Sequence, residues 1–574
     1  MLSFMATSCS SDDEIKTNDN ATKAESYISV KISDVGGSTQ SRGTDEGYTY
    51  GTESERSVTD VKFYFYDSNE HLLTEAELSG ADIEGSVNST ESQSIEYIGK
   101  AVIPIHDINP ANLPQTMVTV INPPVSLEGD VSSLTNIKAA LAANCRTAAG
   151  TFTMTTSTFK DTNNALCCVT ALTKDNFYET EQAANESTSP INVYVERLAA
   201  KVQLTIDPTV TPSKWTAGSA DNTYKLGDYE IAGIDGTTAL YVNFISWGLN
   251  ATTQKSLLMK NIDTSWTDAA LGFTWNDAAN YRTYWGKSYN YGDASCIYPD
   301  HYIADEHGKV TLNYISANEI ASTLGFNYGS TTVTPGIEYC NENTNTSDIL
   351  VKAYNSTATS ALIKARLVKS DGSQLGDLIK YNSKFYTPDA YIAHVHSGLT
   401  NSGKLAFKQN GTPIAISDLR VIDGTYLNGR VVVALTEEAA AKTGWTDGNN
   451  NDAAVTTDSI NEVLAAFNAN SDAIGYKDGL MYYSIPIEHL NNTENTIGTS
   501  GTKAAVTNIA EGHYGVVRNH YYKITVTSCT KPGHGINIPD EPIVPNPDVE
   551  EDYYIGAQIN ILAWKTVSQQ VTLE

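Results

Sequence analysis

The sequence predicts a mainly β protein of two or more domains, and three observations carry that prediction. Tyr (33) far outnumbers Phe (12), and Tyr and Thr suit half-exposed strands. Short segments of alternating apolar and polar residues recur along the chain, whereas helical spacing is confined to a few pieces. At 574 residues the chain is too long for one ordinary core. Hydrophobic residues at 40% and charged residues at 18% argue against wholesale disorder. The net charge of −30 gives a surface that repels polyanions, so nucleic acid is excluded as a partner. No apolar run is long enough for a transmembrane helix.

In chain order, Met1 to Cys9 reads as the tail of a signal peptide, with Ala6-Thr7-Ser8 just before Cys9 and no basic start, so the true start is expected upstream. Ser10 to Glu14 is an acidic tether. Tyr27 to Ser33 alternates, placing Ile28, Val30 and Ile32 on one face of a half-buried strand. The Gly- and Ser-rich run 36–47, which contains Arg42-Gly43, is a loop, and Arg56 follows in a second loop-like stretch. Val61 to Tyr66 is a period-two strand, and Met117 to Ile121 is another that stops at Asn122-Pro123-Pro124. Ser133 caps a short helix carrying Leu134, Ile137 and Leu141. Ile191 to Val195 and Lys201 to Ile206 are strands flanking Glu196-Arg197. Asn410-Gly411 marks a hairpin. Helical pieces cover Thr436 to Lys442 and Asp458 to Asn468, and Tyr522 to Val526 is a strand. Five prolines between Pro532 and Pro547 make an extended spacer. Beyond it Ile555, Ala557, Ile559 and Ile561 alternate, and Trp564, Val567, Val571 and Leu573 finish the chain.

Motifs of chemistry are sparse. Gly286-Lys287-Ser288 fails as a phosphate loop because Tyr281 stands where Gly is required. His394-Val395-His396 places two imidazoles on one strand face without a third ligand, and Asp305-Glu306-His307 reads as a charged loop. Catalytic, metal and cofactor sites are therefore not expected. Of the seven cysteines, six remain if Cys9 is lipidated. Buried free thiols and a single disulfide, Cys145 with Cys167 or Cys168, are both open.

Together these segments resemble a family. The lipobox-like Ala6 to Cys9, the loop Arg42-Gly43, Val193-Tyr194-Val195-Glu196-Arg197 through Val202, Val517-Arg518-Asn519-His520-Tyr521-Tyr522-Lys523-Ile524, and the ending Leu562-Ala563-Trp564-Lys565 to Leu573 after a Pro-rich spacer are similar to the Bacteroidales fimbrillins, or type V pilins, and among them to the stalk subunit of the short fimbria. Arg282 to Lys287 adds to the likeness.

The resemblance implies two transthyretin-like β-sandwich domains with few short helices and a C-terminal donor strand. It divides the chain into a signal remnant and cleaved propeptide (1–42), an N-terminal sandwich (43–207), a C-terminal sandwich (208–531), and spacer plus donor strand (532–574). It implies lipid on Cys9, attachment of the precursor to the outer membrane, and proteolysis between Arg42 and Gly43, with Arg56 as the fallback. The first strand then leaves, and a neighbour's segment 553–573 fills its groove with Ile555, Ala557, Ile559, Ile561, Trp564, Val567, Val571 and Leu573. Partners would be further copies of the chain and accessory fimbrial subunits, in a structural rather than enzymatic role on the cell surface. A fimbrial tip or anchor subunit, and a surface glycan-binding lipoprotein, are the alternatives.

Overall fold

The alternating segments of the first two hundred residues gather into a single sheet. In the computed structural model its strands are Ala24–Val35 (β1), Asp60–Tyr66 (β2), Leu72–Ser79 (β3), Glu84–Val87 (β4), Ile95–Ile108 (β5), Thr116–Ile121 (β6), Met154–Thr156 (β7) and Ile191–Arg197 (β8). They lie in the order β3-β2-β6-β7-β8-β1-β5-β4, with Thr170–Ala171 beside β6. The structure describes residues 24–35, 51–87, 95–146, 150–157, 159–160, 166–262, 286–293, 312–328, 331–352, 356–424, 429–489, 512, 514–545, 555–558, 562–563 and 565–573. The strands share a core that includes Ile28, Phe63, Phe65, Ile103, Ile105 and Val193. β2 and β6 are buried on both faces. Tyr64, Tyr66, Val118 and Val120 point away from that core, towards the helix Leu134–Ala139 (α1), which Ser133 caps as its sequence predicts.

At Leu198 the chain passes from one sheet to another, nine residues before position 207. The following strand, Ala199–Ile206 (β9), belongs to a second, two-layer unit. Its further strands are Thr223–Ala232 (β10), Thr237–Asn250 (β11), Gly325–Tyr328 (β12), Thr331–Val333 (β13), Ile337–Asn341 (β14), Ser360–Val368 (β15), Leu378–Tyr381 (β16), Lys384–Tyr386 (β17), Ile474–Tyr476 (β18), Leu480–Pro486 (β19), His520–Cys529 (β20), His534–Gly535 (β21), Ile555–Gln558 (β22) and Lys565–Leu573 (β23). One layer is ordered β13-β12-β9-β20-β23-β22, with β14 also against β9; the other is β18-β16-β17-β10-β11-β15-β19-β21. Side chains such as Val202, Leu204 and Ile524 from the first layer meet Val242, Trp247 and Ile363 from the second, which is a β-sandwich core.

Between β17 and β18 the chain inserts a lobe with its own core. It contains the helices Pro388–Asn401 (α2), Glu437–Ala441 (α3) and Thr457–Asn468 (α4), and the Asn410-Gly411 hairpin with both residues at positive φ, 50° and 83°. The last two helices and the hairpin agree with their sequence signals. Helix α2 does not, because His394-Val395-His396 reads there as a strand. Thr387 caps it, Pro388 opens it, and Tyr391, Ile392, Val395 and Leu399 form its buried stripe. Two residues apart on a helix, the imidazoles face different ways. His396 Nε2 lies 2.9 Å from the Ile414 carbonyl, and His394 packs on Tyr381 and Tyr386.

The Pro-rich segment also differs from a free spacer. Ile536, Ile543 and Val544 are buried, the first two in a cluster with Ile320, Leu362 and Tyr482 on the outer face of the second layer. The Ile543 amide donates to the Ile315 carbonyl at 2.9 Å, and Asn250 Nδ2 donates to the Ile543 carbonyl at 2.9 Å. Prolines supply no amide, but the residues between them do, so the segment lies down as a strap as far as Pro545. Cys145, Cys168, Cys340 and Cys529 are free thiols, so Cys145 and Cys168 are not joined.

Candidate functional site: the first strand, the last strands and the junction between the sheets

Strand β1 fills a slot inside the N-terminal sheet. On one side it pairs antiparallel with β5, from Ser26 opposite Ile105 to Asp34 opposite Tyr97. On the other it pairs parallel with β8, from Val30 opposite Ile191 to Asp34 opposite Val195. Ile28 and Val30 are wholly buried, a gain of roughly 1.5–3 kcal/mol each. Ser29, between them, is buried as well, so this stretch is covered on both faces rather than half-buried. Its hydroxyl finds no hydrogen-bond partner among the described residues. Any strand that replaced β1 would have to satisfy both neighbours' backbones and supply apolar side chains at alternate positions.

The C-terminal strands lie at a sheet border. β23 runs parallel to β20, from His520 opposite Lys565 to Cys529 opposite Leu573. β22 folds back antiparallel on β23, with Ile555 opposite Leu573 and Ala557 opposite Val571. Leu562–Ala563 also pairs antiparallel with β23, so the described C-terminal sequence is a set of short paired strands on the chain's own sandwich instead of one long strand. Without them β20 would be the border strand of its layer, with one backbone edge open. Ile555, Ala557, Val567, Val571 and Leu573 fall on these strands. Ile559, Ile561, Trp564, Cys9, Arg42 and Gly43 lie outside the described residues.

Between the two sheets is a buried cluster of charges. Glu55, 1% exposed, pairs with Lys201 Nζ on β9 at 2.7 Å and accepts the Tyr339 hydroxyl from β14. The Glu55 backbone carbonyl accepts Arg197 Nε at 2.8 Å, and Arg197 Nη1 reaches Asn519 Oδ1 at 3.4 Å. Burial would raise the Glu55 carboxyl. The Lys201 ammonium, together with hydrogen bonds from Tyr339 and the Thr52 amide, outweighs it and holds the carboxyl below its ordinary range. Burial and the nearby Glu55 push the Tyr339 phenol well up. A second pair, Arg518 with Glu342, is fully enclosed, and Arg518 Nη2 also donates to the Leu257 carbonyl at 2.9 Å.

These contacts explain two of the sequence segments singled out above. Arg197, Lys201, Arg518 and Asn519 all converge on this junction. Asn519 sits at φ 59° and hands its amide to the Ala199 carbonyl. Tyr522, wholly buried, accepts the Val517 amide at 2.8 Å and lies 2.9 Å from His489 Nδ1. Their partners Glu55, Tyr339 and Glu342 carry no local signal, because each is a single polar residue in a polar or strand-like stretch. Among the described residues no three His, Cys, Asp or Glu side chains are grouped as metal ligands, and no helix is long and apolar enough to cross a membrane.

Comparison with known proteins bears on the C-terminal part. Residues 475–570 match the family described as major fimbrial subunit protein type IV, fimbrillin, C-terminal. No curated protein matches the chain. Among solved structures, a fimbrillin from Porphyromonas gingivalis W83 is similar at 13% identity and a TM-score of 0.30, over 95% of this chain and 98% of that one. A fimbrial assembly protein from Parabacteroides distasonis is similar at 10% identity and a TM-score of 0.23, over 59% of this chain and 96% of that one. A tip fimbrial protein from Porphyromonas gingivalis is similar at 11% identity and a TM-score of 0.25, over 60% of this chain and 81% of that one. At such scores these likenesses carry no argument, and the family match to β18–β23 is what counts.

Proposed function

We propose that this chain, fimbrillin-like in its C-terminal region, is the stalk subunit of a surface fimbria that polymerises by strand exchange. In this reading the precursor is exported as a lipoprotein on Cys9 and held at the outer membrane. A protease cuts between Arg42 and Gly43, β1 departs, and segment 553–573 of a neighbouring copy enters the slot between β5 and β8. Head-to-tail insertion does not close on itself, so it yields a fibre. Accessory fimbrial subunits would start and end that fibre. The chain would act as structure in adhesion and catalyse nothing.

One observation supports this reading above the others: the two terminal elements differ in how they are held. β1 is interior to its sheet and bridges two strands, so its loss would leave two open backbone edges that suit an inserted strand. β22 and β23 form the border of theirs, so they can leave without dividing a layer. Deleting residues 553–574 tests the scheme. The expected product is a folded, exported and cleaved monomer without fibres in electron microscopy of sheared surface material. Fibres of normal length from the deletion strain would place the joint elsewhere.

A further inference from the structure

Arg56 lies at a loop-like position just before β2, and there it is held in place. Arg56 follows Glu55 in a tight turn. The Glu55 amide donates to the Thr52 carbonyl at 3.1 Å, the Arg56 amide to the same carbonyl at 3.2 Å, and Arg56 Nη1 to the Gly51 carbonyl at 2.7 Å. The peptide groups on either side are held from across the molecule. Arg197 Nε takes the Glu55 carbonyl at 2.8 Å, and Asn122 Nδ2 takes the Ser57 carbonyl at 2.8 Å. The Glu55 side chain adds the Lys201 pair and the Tyr339 hydroxyl.

Proteases bind substrate as an extended strand and use the backbone groups flanking the scissile bond. Here those groups are engaged in a turn, so cutting after Arg56 requires the turn to open first. We infer that Glu55 is a specificity-determining residue for maturation: by fastening residues 51–57 into the junction between the sheets it withholds the Arg56–Ser57 bond from an arginine-specific protease. The same clamp keeps the chain from Gly51 onward in place whatever is removed before it, so departure of β1 leaves the junction closed. This rests on the reading that maturation is proteolytic, but its test does not depend on fibre formation.

The probe is trypsin acting on the full-length chain, with cleavage sites identified by N-terminal sequencing and mass spectrometry. In the native parent the Arg56–Ser57 bond should be cut at least about tenfold more slowly than in the denatured chain, because cleavage must wait for local opening. Glu55→Gln should speed that cut by about tenfold or more, since it removes the charge that Lys201 holds. Tyr339→Phe, which removes one hydroxyl, should give a smaller increase in the same direction. Native chain cut at Arg56 as fast as denatured chain would overturn the inference. So would a Glu55→Gln rate equal to the parent's. If Glu55→Gln opens the whole fold, the wholly buried Arg518 becomes a cleavage site too, and Tyr339→Phe with Arg518 still protected then decides. Failure of strand exchange would leave these rates unchanged, so the two readings fall separately.

Discussion

Arg518 Nη2 and a Glu342 carboxylate oxygen stand 3.2 Å apart, with side-chain exposures of 0% and 1%. The pair sits where the run from Val517 to Ile524 meets the chain from Ser256 to Leu258, and the guanidinium also spans the Leu257 and Leu258 carbonyls. A charge enclosed to this degree is tolerable only while its partner is present.

Truncating one partner should therefore be severe. Glu342→Ala is expected to lower stability by about 3–5 kcal/mol, read from the denaturant midpoint, because Arg518 is left charged in a dry site. A loss below about 1 kcal/mol would mean that water reaches the guanidinium.

The pH dependence of the junction follows from Glu55. Its folded carboxyl lies below the ordinary range, so its stabilising contribution is present above the unfolded pKa of about 4.3 and is lost as pH falls through the folded value. The melting temperature of the parent should exceed that of Glu55→Gln at neutral pH, and the gap should narrow below about pH 4. A gap that is constant across this range would show that the stabilisation does not come from the carboxylate charge.

Ser29 gives a prediction of opposite sign. A buried hydroxyl without a partner costs about 1–3 kcal/mol, so Ser29→Ala should raise the stability of the uncleaved chain, measured by denaturant melting. Destabilisation by more than the lost packing of one oxygen would reveal a partner for that hydroxyl.

Ile543→Asp addresses the strap. It should abolish hydrogen-exchange protection of the Ile536 and Ile543 amides while β11 and β15 keep theirs, because a buried charge ejects the strap and not the layer beneath it. Loss of protection throughout the sandwich would make the strap part of the folding core.

Thiol chemistry should be quiet. Burial pushes Cys145 and Cys529 up to about 12, so neither is a thiolate at mildly alkaline pH. Iodoacetamide should label both only after denaturation, as followed by peptide mapping; rapid native labelling would expose an open route to the site.

Much of the fold was legible because its signals are local. The alternation of Val61 to Tyr66 and of Val202 to Ile206, the Ser133 cap, the Asn410-Gly411 turn and the stripe from Ile460 to Leu464 each lie within a few residues of one another. The change of sheet at Leu198 was not, because β8 and β9 continue nearly unbroken apolar alternation and nothing in that pattern tells one sheet from another. Helix α2 was obscured by Ile392, Val395 and the aromatic Tyr391, which favour strands; Thr387-Pro388-Asp389 was the helix-start signal. The candidate site divides in the same way. Apolar spacing in β1 pointed to a strand, its departure being implied by the resemblance alone, but the Glu55–Lys201 contact depends on how distant segments are brought together, and no local pattern encodes it.

The strap has a mechanical consequence. In a fibre joined by strand exchange, tension enters a subunit through the segment gripped by its neighbour and travels back along the chain to Val544 and Ile543. There it meets the Ile315 carbonyl and the Asn250 side chain on the body of the sandwich. The pull would thus be taken up on the outer face of the second layer before reaching β20, the strand that would otherwise be peeled from its layer. A stalk built this way would bear shear through buried isoleucines and lateral hydrogen bonds.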